Sequence, residues 1–344
     1  MNFASDNVTG IAPEILAAIA AANDGAAASY GDDPITLRVE ARMAEIFEHE
    51  VAVFPVATGT AANALSLAAL TPPWGAVFCH EQSHIVVDEA NAPEFFSAGA
   101  KLVPLAGADG KLSAETIERL LPGGLGVVHH SQPAAVSLTQ ASECGTVYRP
   151  AEVAAIAAIA HRHGLAVHMD GARFGNALAY LGCSPAEITW RAGVDALSFG
   201  ATKNGALAAE AIVFFDPAKA QSLAFRRKRA GHLFSKMRFL SAQLDAYLAD
   251  GLWLRQATHA NAMAARLARG LAQLPESRLR HPVEANELFI ELPEPVIAGL
   301  LDAGFKFYRW DGPDSTCIRL VTAWNTAAEA VDALIAAAGK LSRV

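Results

Sequence analysis

The sequence predicts an α/β protein with a large, mostly parallel sheet domain, followed by a small C-terminal α+β domain. Three observations carry this expectation. Over the first two-thirds of the 344 residues, short apolar runs, many of them β-branched and bounded by Gly, Pro or Asp, alternate with helical patterns. After about residue 235 two long helical patterns follow, and then shorter elements punctuated by Pro275, Pro282, Pro293 and Pro295. Apolar residues make up 52% of the chain against 18% charged, enough to fill a large core and too apolar for wholesale disorder. The expected division is 1–245, including an N-terminal arm, and 246–344.

In chain order, strands are expected at 51–56, 76–79, 101–104, 126–129, 135–138, 165–170, 196–200 and 211–215. Helices fit between them. The segment 34–48 opens on Pro34, and 150–163 opens on Pro150, repeats Ala and Ile at helical spacing and stops at Gly164. The last two strands of this part are closely spaced around Gly205 and read as a hairpin or bent connection. The segments 235–249 and 254–274 predict two long helices. Beyond them, strands at 286–292, 305–310 and 317–322 and helices at 295–303 and 326–340 make up the smaller unit.

Composition narrows the class of function. The net charge is −8, and the one basic cluster is Arg226-Arg227-Lys228-Arg229. That cluster reads either as a solvated helix face or as a phosphate-binding or interface patch, and no nucleic-acid partner is expected. Cys79, Cys144, Cys183 and Cys317 are far apart, which suits a reducing compartment rather than a disulfide framework. No uncharged apolar stretch reaches the roughly 18 residues of a membrane span. The first residues lack a basic region followed by an apolar core. A cytoplasmic protein without membrane contact is the expectation.

Three local patterns point to chemistry. In Pro55-Val56-Ala57-Thr58-Gly59-Thr60-Ala61-Ala62-Asn63 a strand gives way to an Ala-rich helix through a Thr-Gly-Thr turn. The N–H groups at such a helix start suit a phosphate, though the same pattern also describes an ordinary Thr-capped helix. In Val167-His168-Met169-Asp170-Gly171-Ala172-Arg173 an apolar strand ends on Asp, at the edge where parallel sheets bind ligands. Asp170 could ligate a metal, act as a base, hold a protonated ring nitrogen or merely cap a helix; no neighbouring carboxylate or His cluster supports a metal. In Leu197-Ser198-Phe199-Gly200-Ala201-Thr202-Lys203 a Lys follows a strand among small residues. Partial desolvation there favours a neutral, nucleophilic amine, whereas a solvent-facing Lys would be inert. Together the three supply what pyridoxal 5′-phosphate (PLP) needs: a phosphate anchor, a carboxylate for the pyridine nitrogen and a lysine for the Schiff base. The spacing of Asp170 and Lys203 fits neighbouring strands of one sheet.

The chain resembles the low-specificity threonine aldolases, within the aspartate-aminotransferase-like (fold type I, PLP-dependent transferase-like) enzymes. The resemblance rests on Ser5-Asp6-Asn7-Val8-Thr9, Tyr30-Gly31-Asp32-Asp33-Pro34, Thr58-Gly59-Thr60-Ala61-Ala62-Asn63, His84, His168-Met169-Asp170-Gly171-Ala172-Arg173, Lys203 and Ile318-Arg319-Leu320-Val321-Thr322. These motifs span nearly the whole chain. The resemblance implies that Gly59 and Thr60 hold the phosphate, His84 stacks on the ring and acts as a base, directly or through a water, Asp170 pairs with the ring nitrogen, and Lys203 carries the cofactor. It further implies that Arg173 lies by the cofactor and that Ser5, Arg173 and Arg319 bind the substrate carboxylate, a task that suits the planar fork of arginine. Tyr30, Lys228 and Lys236 are weaker candidates from across a subunit interface, since similar enzymes form dimers and tetramers.

One departure stands out. The family commonly carries Glu-Asn-Thr-His after the strand that here ends at Leu138, but this chain reads Thr139-Gln140-Ala141-Ser142-Glu143. The family's second histidine is absent, and Gln140 or Glu143 is expected to take part of its work; His129 and His130 are not. The reaction implied is retro-aldol cleavage of L-threonine, L-allo-threonine and related β-hydroxy-α-amino acids to glycine and an aldehyde. The competing readings are another PLP β-eliminating lyase, a serine hydroxymethyltransferase-like enzyme, and a catalytically silent PLP-fold binding protein. The last fits poorly with intact Lys203, Asp170 and Arg319. A dinucleotide-dependent dehydrogenase lacks its Gly-x-Gly-x-x-Gly turn.

Overall fold

The computed structural model of the chain describes residues 1–121 and 124–343. Seven strands form the main sheet: β1 (Ala52–Val56), β2 (Gly75–His80), β3 (Lys101–Leu105), β4 (Gln132–Thr139), β5 (Ala166–Gly171), β6 (Ala196–Gly200) and β7 (Glu210–Phe214). Their spatial order is β1-β7-β6-β5-β4-β2-β3. The β6–β5–β4–β2–β3 pairings are all parallel, while β7 runs antiparallel to both neighbours. The expected hairpin around Gly205 is therefore the β6–β7 pair, in which Gly200 lies opposite Glu210. A second sheet, in the order β10-β11-β9-β8, contains β8 (Arg278–Leu279), β9 (Glu287–Glu291), β10 (Tyr308–Arg309) and β11 (Cys317–Val321).

Local chemistry sets the helix ends. The helix Pro34–Phe47 starts where Asp33 accepts hydrogen bonds from Ile35 N and Thr36 N, with Pro34 supplying a preset φ. The helix Pro150–Arg162 is fixed by Glu152, whose carboxylate accepts the Arg149 N–H at 2.7 Å. One core packs Phe47, Phe174, Phe199, Tyr247 and Trp253 against the main sheet. The rings of Phe199 and Trp253 lie 5.6 Å apart. A second core gathers Leu267, Ile290, Ile297, Leu320 and Leu334, together with Phe3 from the N-terminal arm. That arm is held by Phe3 N donating to Lys306 O and Val321 N donating to Phe3 O, both at 2.8 Å. The arm thus runs beside β11, which carries Arg319.

Three sequence expectations need correction. Residues 126–129 form turns and loop rather than a strand, because Gly126 takes a φ of +76° and Gln132 satisfies the local backbone instead of a sheet neighbour. The strand expected over 305–310 is only β10, since Phe305 is bonded back to the preceding helix at Leu300 O. The last helix is Ala328–Leu341, not 326–340, because Thr326 caps the bend before it by accepting from Ala323 N. The short β8 was not foreseen; its two residues have no alternating pattern to read.

Candidate active site

The carboxyl ends of β1, β4, β5 and β6 open on the same edge of the sheet, where a parallel sheet binds ligands. At the end of β1, Thr58 Oγ1 accepts from Ala61 N at 3.1 Å and Thr58 O accepts from Ala62 N at 3.1 Å. Among the described residues the N–H groups of Gly59 and Thr60 have no protein partner, and they open the twelve-residue helix Gly59–Leu70. Two free amides, a Thr60 hydroxyl and a helix dipole suit a phosphate dianion.

Asp170, buried at the end of β5, sits opposite Ser198 of β6 and Thr139 of β4. Its Oδ1 accepts from Ala172 N at 3.0 Å and its Oδ2 from Asn63 Nδ2 at 2.8 Å, which leaves lone pairs for a further donor. Behind it, His168 is buried between Ser137 Oγ (2.9 Å) and Ser198 Oγ (3.0 Å), and burial lowers it to about 4. It is a neutral part of the sheet and lines neither cavity described below.

Lys203 lies in the 3₁₀ turn Thr202–Asn204 just beyond β6. Gly200 makes its approach possible: a Cβ there would come within 2.6 Å of Ala172 O and 2.7 Å of Ala172 Cα. Only a glycine lets the end of β6 pass this close to the segment that carries Asp170. His84 begins a short helix after β2; its Nδ1 lies 2.8 Å from Glu89 Oε1. The hydrogen bond to Glu89 raises His84 above the usual histidine range, against the lowering effect of burial.

A cavity of about 340 Å³ is walled by Thr58, Gly59, Thr60, His84, Asp170 and Lys203, among others. A neighbouring one of about 470 Å³ has Ser5, His84, Arg173, Lys203, Trp310 and Arg319 in its walls. The two share Asn7, His84, Glu143 and Lys203. Both volumes are in the range of small-molecule sites. Ser5, Gly59, Thr60, His84, Asp170, Arg173, Lys203 and Arg319 each line one cavity or the other, whereas the weaker candidates Tyr30, Lys228 and Lys236 line neither.

The second cavity refines two expectations. Arg173 is already engaged: its Nε and Nη2 donate to Asp6 at 2.8 and 3.1 Å, and its Nη1 lies 3.4 Å from Glu287 Oε1. Asp6 is buried, which would raise it, but Arg173 beside it holds it below the ordinary carboxylate range. Glu287 is within ion-pair distance of Arg173 yet accepts no hydrogen bond, and burial pushes it up. Arg319 is less committed. Its Nη2 donates to Ala4 O at 3.1 Å, its Nε has no partner, and its guanidinium carbon lies over the rings of Tyr308 and Trp310, 5.6 and 5.2 Å from their centroids. Ser5 lines this cavity while its hydroxyl accepts from Asn7 N at 3.1 Å.

Of the two residues offered for the missing histidine, only Glu143 reaches the site. Gln140 is buried and spends both amide ends on Tyr148, accepting from its N and donating to its O at 2.9 Å each. His129 and His130 are exposed in the loop before β4. In the basic cluster, Arg227 donates to Pro55 O and Lys228 lies 4.8 Å above the Tyr30 ring, so the cluster is more than a solvated face. Sequence reading gave no role to Asp6, Asn63, Glu89, Glu210 and Glu287. Only Asn63 and Asp6 had a signal, each standing inside a quoted motif.

A family model for beta-eliminating lyases matches residues 2–294. The chain is 47% identical over 329 residues to the low specificity L-threonine aldolase of Pseudomonas aeruginosa, covering 96% of this chain and 94% of that protein. It is 45% identical over 324 residues to a low specificity L-threonine aldolase from another Pseudomonas, covering 94% and 93%. The solved threonine aldolase of Leishmania major superposes with a TM-score of 0.93 at 29% identity, over 99% of both chains. A serine palmitoyltransferase of Sphingomonas wittichii shares the fold alone, with a TM-score of 0.74 at 16% identity, over all of this chain and 87% of that one.

Proposed function

Since the chain belongs to the beta-eliminating lyase family and, within it, to the low-specificity threonine aldolases, we propose the following account of how its residues cleave threonine. The protein is a PLP-dependent carbon–carbon lyase of the fold type I architecture. One observation carries the residue assignments: a single cavity joins a helix start, a buried carboxylate and a lysine, and its neighbour holds an arginine with donors to spare.

The donor set fits the cofactor. The Gly59 and Thr60 amides and the Thr60 hydroxyl would hold its phosphate, Asp170 its ring nitrogen, His84 one face of the ring and Lys203 its carbonyl carbon. When bound, PLP supplies an electron sink for the pair released as a bond to Cα breaks. Arg319, with Ser5 beside it, binds the α-carboxylate and so orients the Cα–Cβ bond. Arg173, clamped by Asp6, supports that wall and adds positive charge. His84 Nε2 takes the β-hydroxyl proton, the Cα–Cβ bond breaks, and the Cβ–O bond becomes the carbonyl of the departing aldehyde. Cα then receives a proton and leaves as glycine. Threonine thus yields acetaldehyde and glycine with no other reactant. Glu143, at the junction of the two cavities, stands where the second histidine of relatives is expected and contacts the region of the β-substituent.

We also propose the two-domain division at 1–245 and 246–344, a cytoplasmic setting and a homo-oligomer, dimer or tetramer. The cluster around Lys228 and the exposed Phe95, Phe225 and Tyr30 supply surface for subunit contacts. Among the described residues no helix is long and apolar enough to cross a membrane. The direct test of the reaction is to supply L-threonine to the PLP-loaded protein and identify the products. Glycine and acetaldehyde in equal amounts are expected; 2-oxobutanoate and ammonia would reassign it as an eliminating lyase. Light scattering at micromolar concentration tests the assembly, and a monomer mass contradicts it.

A further inference from the structure

A chain of hydrogen bonds connects the two ends of the cofactor cavity. His84 Nδ1 lies 2.8 Å from Glu89 Oε1; Asn63 Nδ2 donates to that same oxygen at 2.8 Å and to Asp170 Oδ2 at 2.8 Å. Asn63, Glu89 and Asp170 are all buried, and both Asn63 and Glu89 line the cavity. The orientation of the amide follows from its partners. Turned over, Asn63 would present its carbonyl oxygen to two carboxylate oxygens, so its NH₂ group faces them and gives one hydrogen to each. Asn63 donates to Glu89 Oε1 and His84 Nδ1 lies 2.8 Å from the same oxygen, so an ionised Glu89 would receive two donors there, and these two bonds oppose the burial that raises its carboxyl. An ionised carboxylate can only accept, so the proton between it and His84 sits on Nδ1. Neutral His84 must then present an unprotonated Nε2. Among the described residues nothing bonds that Nε2, and the ring stands on the wall shared by both cavities.

We propose that Glu89 and Asn63 are positioning residues: Glu89 holds His84 as the Nδ1–H tautomer with Nε2 free to take the substrate's hydroxyl proton, and Asn63 ties that pair to Asp170 so that base and ring-nitrogen carboxylate move as one unit. This deepens the threonine-cleaving reading and rests on it for the role of Nε2. The logic is that of a carboxylate fixing the tautomer of a catalytic imidazole. Besides Glu89, His84 faces Asp170 at the end of β5, Glu143 in the loop after β4 and Lys203 after β6. The opposite assignment, a neutral Glu89 donating to Nδ1, would leave Nε2 protonated and His84 unable to act as the base.

The test uses ¹⁵N-histidine NMR on the full chain, without PLP and with it. In the wild type, neutral His84 is expected to show a protonated Nδ1 and an unprotonated Nε2. In Glu89→Gln its titration midpoint should fall by about 1 pH unit or more, and the acidic limb of kcat/KM should move down with it. Asn63→Leu, which keeps the branched heavy-atom shape and removes both donors, should lower kcat about tenfold with little change in KM. A protonated Nε2 in the wild type, or an unmoved His84 midpoint in Glu89→Gln, overturns the proposal. Should Glu89→Gln not fold, the wild-type tautomer decides alone. Failure of the wild type to form glycine and acetaldehyde overturns the aldolase reading, and the tautomer measurement is independent of it.

Discussion

Replacing Glu210 by Gln isolates one of the buried acids that sequence reading missed. Glu210 opens β7, lines the cofactor cavity and accepts from Ala201 N at 2.7 Å, two residues before Lys203. Burial raises its carboxyl from the ordinary 4.5 to about 7, although hydrogen bonds from Thr202 and Ala201 and the charge of Lys203 pull the other way. The midpoint in the fold therefore lies above that in the unfolded chain. Below pH 4.5 the acid is neutral in both states and costs nothing. As pH rises towards 7 the unfolded chain releases the proton and the fold does not, so stability is lost over that window and stays lost above it. At about 1.4 kcal/mol per pH unit, the loss is about 3 kcal/mol. That is a sizeable part of the 5–15 kcal/mol by which domains are typically stable. Glutamine keeps the acceptor for Ala201 N but cannot ionise. Urea unfolding of the PLP-free protein at pH 4.5 and pH 8, for wild type and Glu210→Gln, reads this directly. The variant should gain about 3 kcal/mol on the wild type between the two pH values. A difference between the two proteins that does not change with pH would refute the reasoning, because other titrating groups are common to both.

Further expectations follow from the same geometry. Asp6→Ala leaves the buried Arg173 facing Glu287 alone and should destabilise the fold by about 3–5 kcal/mol, seen as a lower urea midpoint; an unchanged midpoint would mean that the pair is not buried in solution. Arg319→Ala should raise KM for threonine about tenfold to a hundredfold while leaving PLP affinity intact, measured by steady-state kinetics and cofactor titration. Since Glu89 raises His84, the base form disappears as pH falls through a value above the ordinary 6.5, so kcat/KM should decline on the acid side from there. His84→Asn should remove that limb and slow turnover by about 10²–10⁴.

The parts of the fold that were legible are those whose physics is local. Gly164 stopping a helix, Pro34 and Pro150 starting two, and short apolar runs ending at Asp170 and Gly200 are all decided within a few residues. Residues 126–129 misled because an apolar run with a glycine reads as a strand unless one knows that Gln132 folds back on it. At the site, Gly59, Thr60, Asp170 and Lys203 stood at strand ends, where position alone suggests chemistry. Glu89, Glu210 and Glu287 had no such marker. Their burial comes from packing among elements distant in sequence, as when Glu287 of β9 meets Arg173 beyond β5. Gln140 shows the converse, since nothing in its neighbours announces that Tyr148 takes both ends of its amide.

The central claim is that Lys203 carries the cofactor. Loading the protein with PLP, treating it with borohydride to fix the cofactor to its lysine, and mapping the peptides by mass spectrometry tests it most directly. The pyridoxyl group should appear on Lys203, and Lys203→Ala should retain none. A label on Lys228, Lys236 or any other lysine, with Lys203 unmodified, would contradict the account.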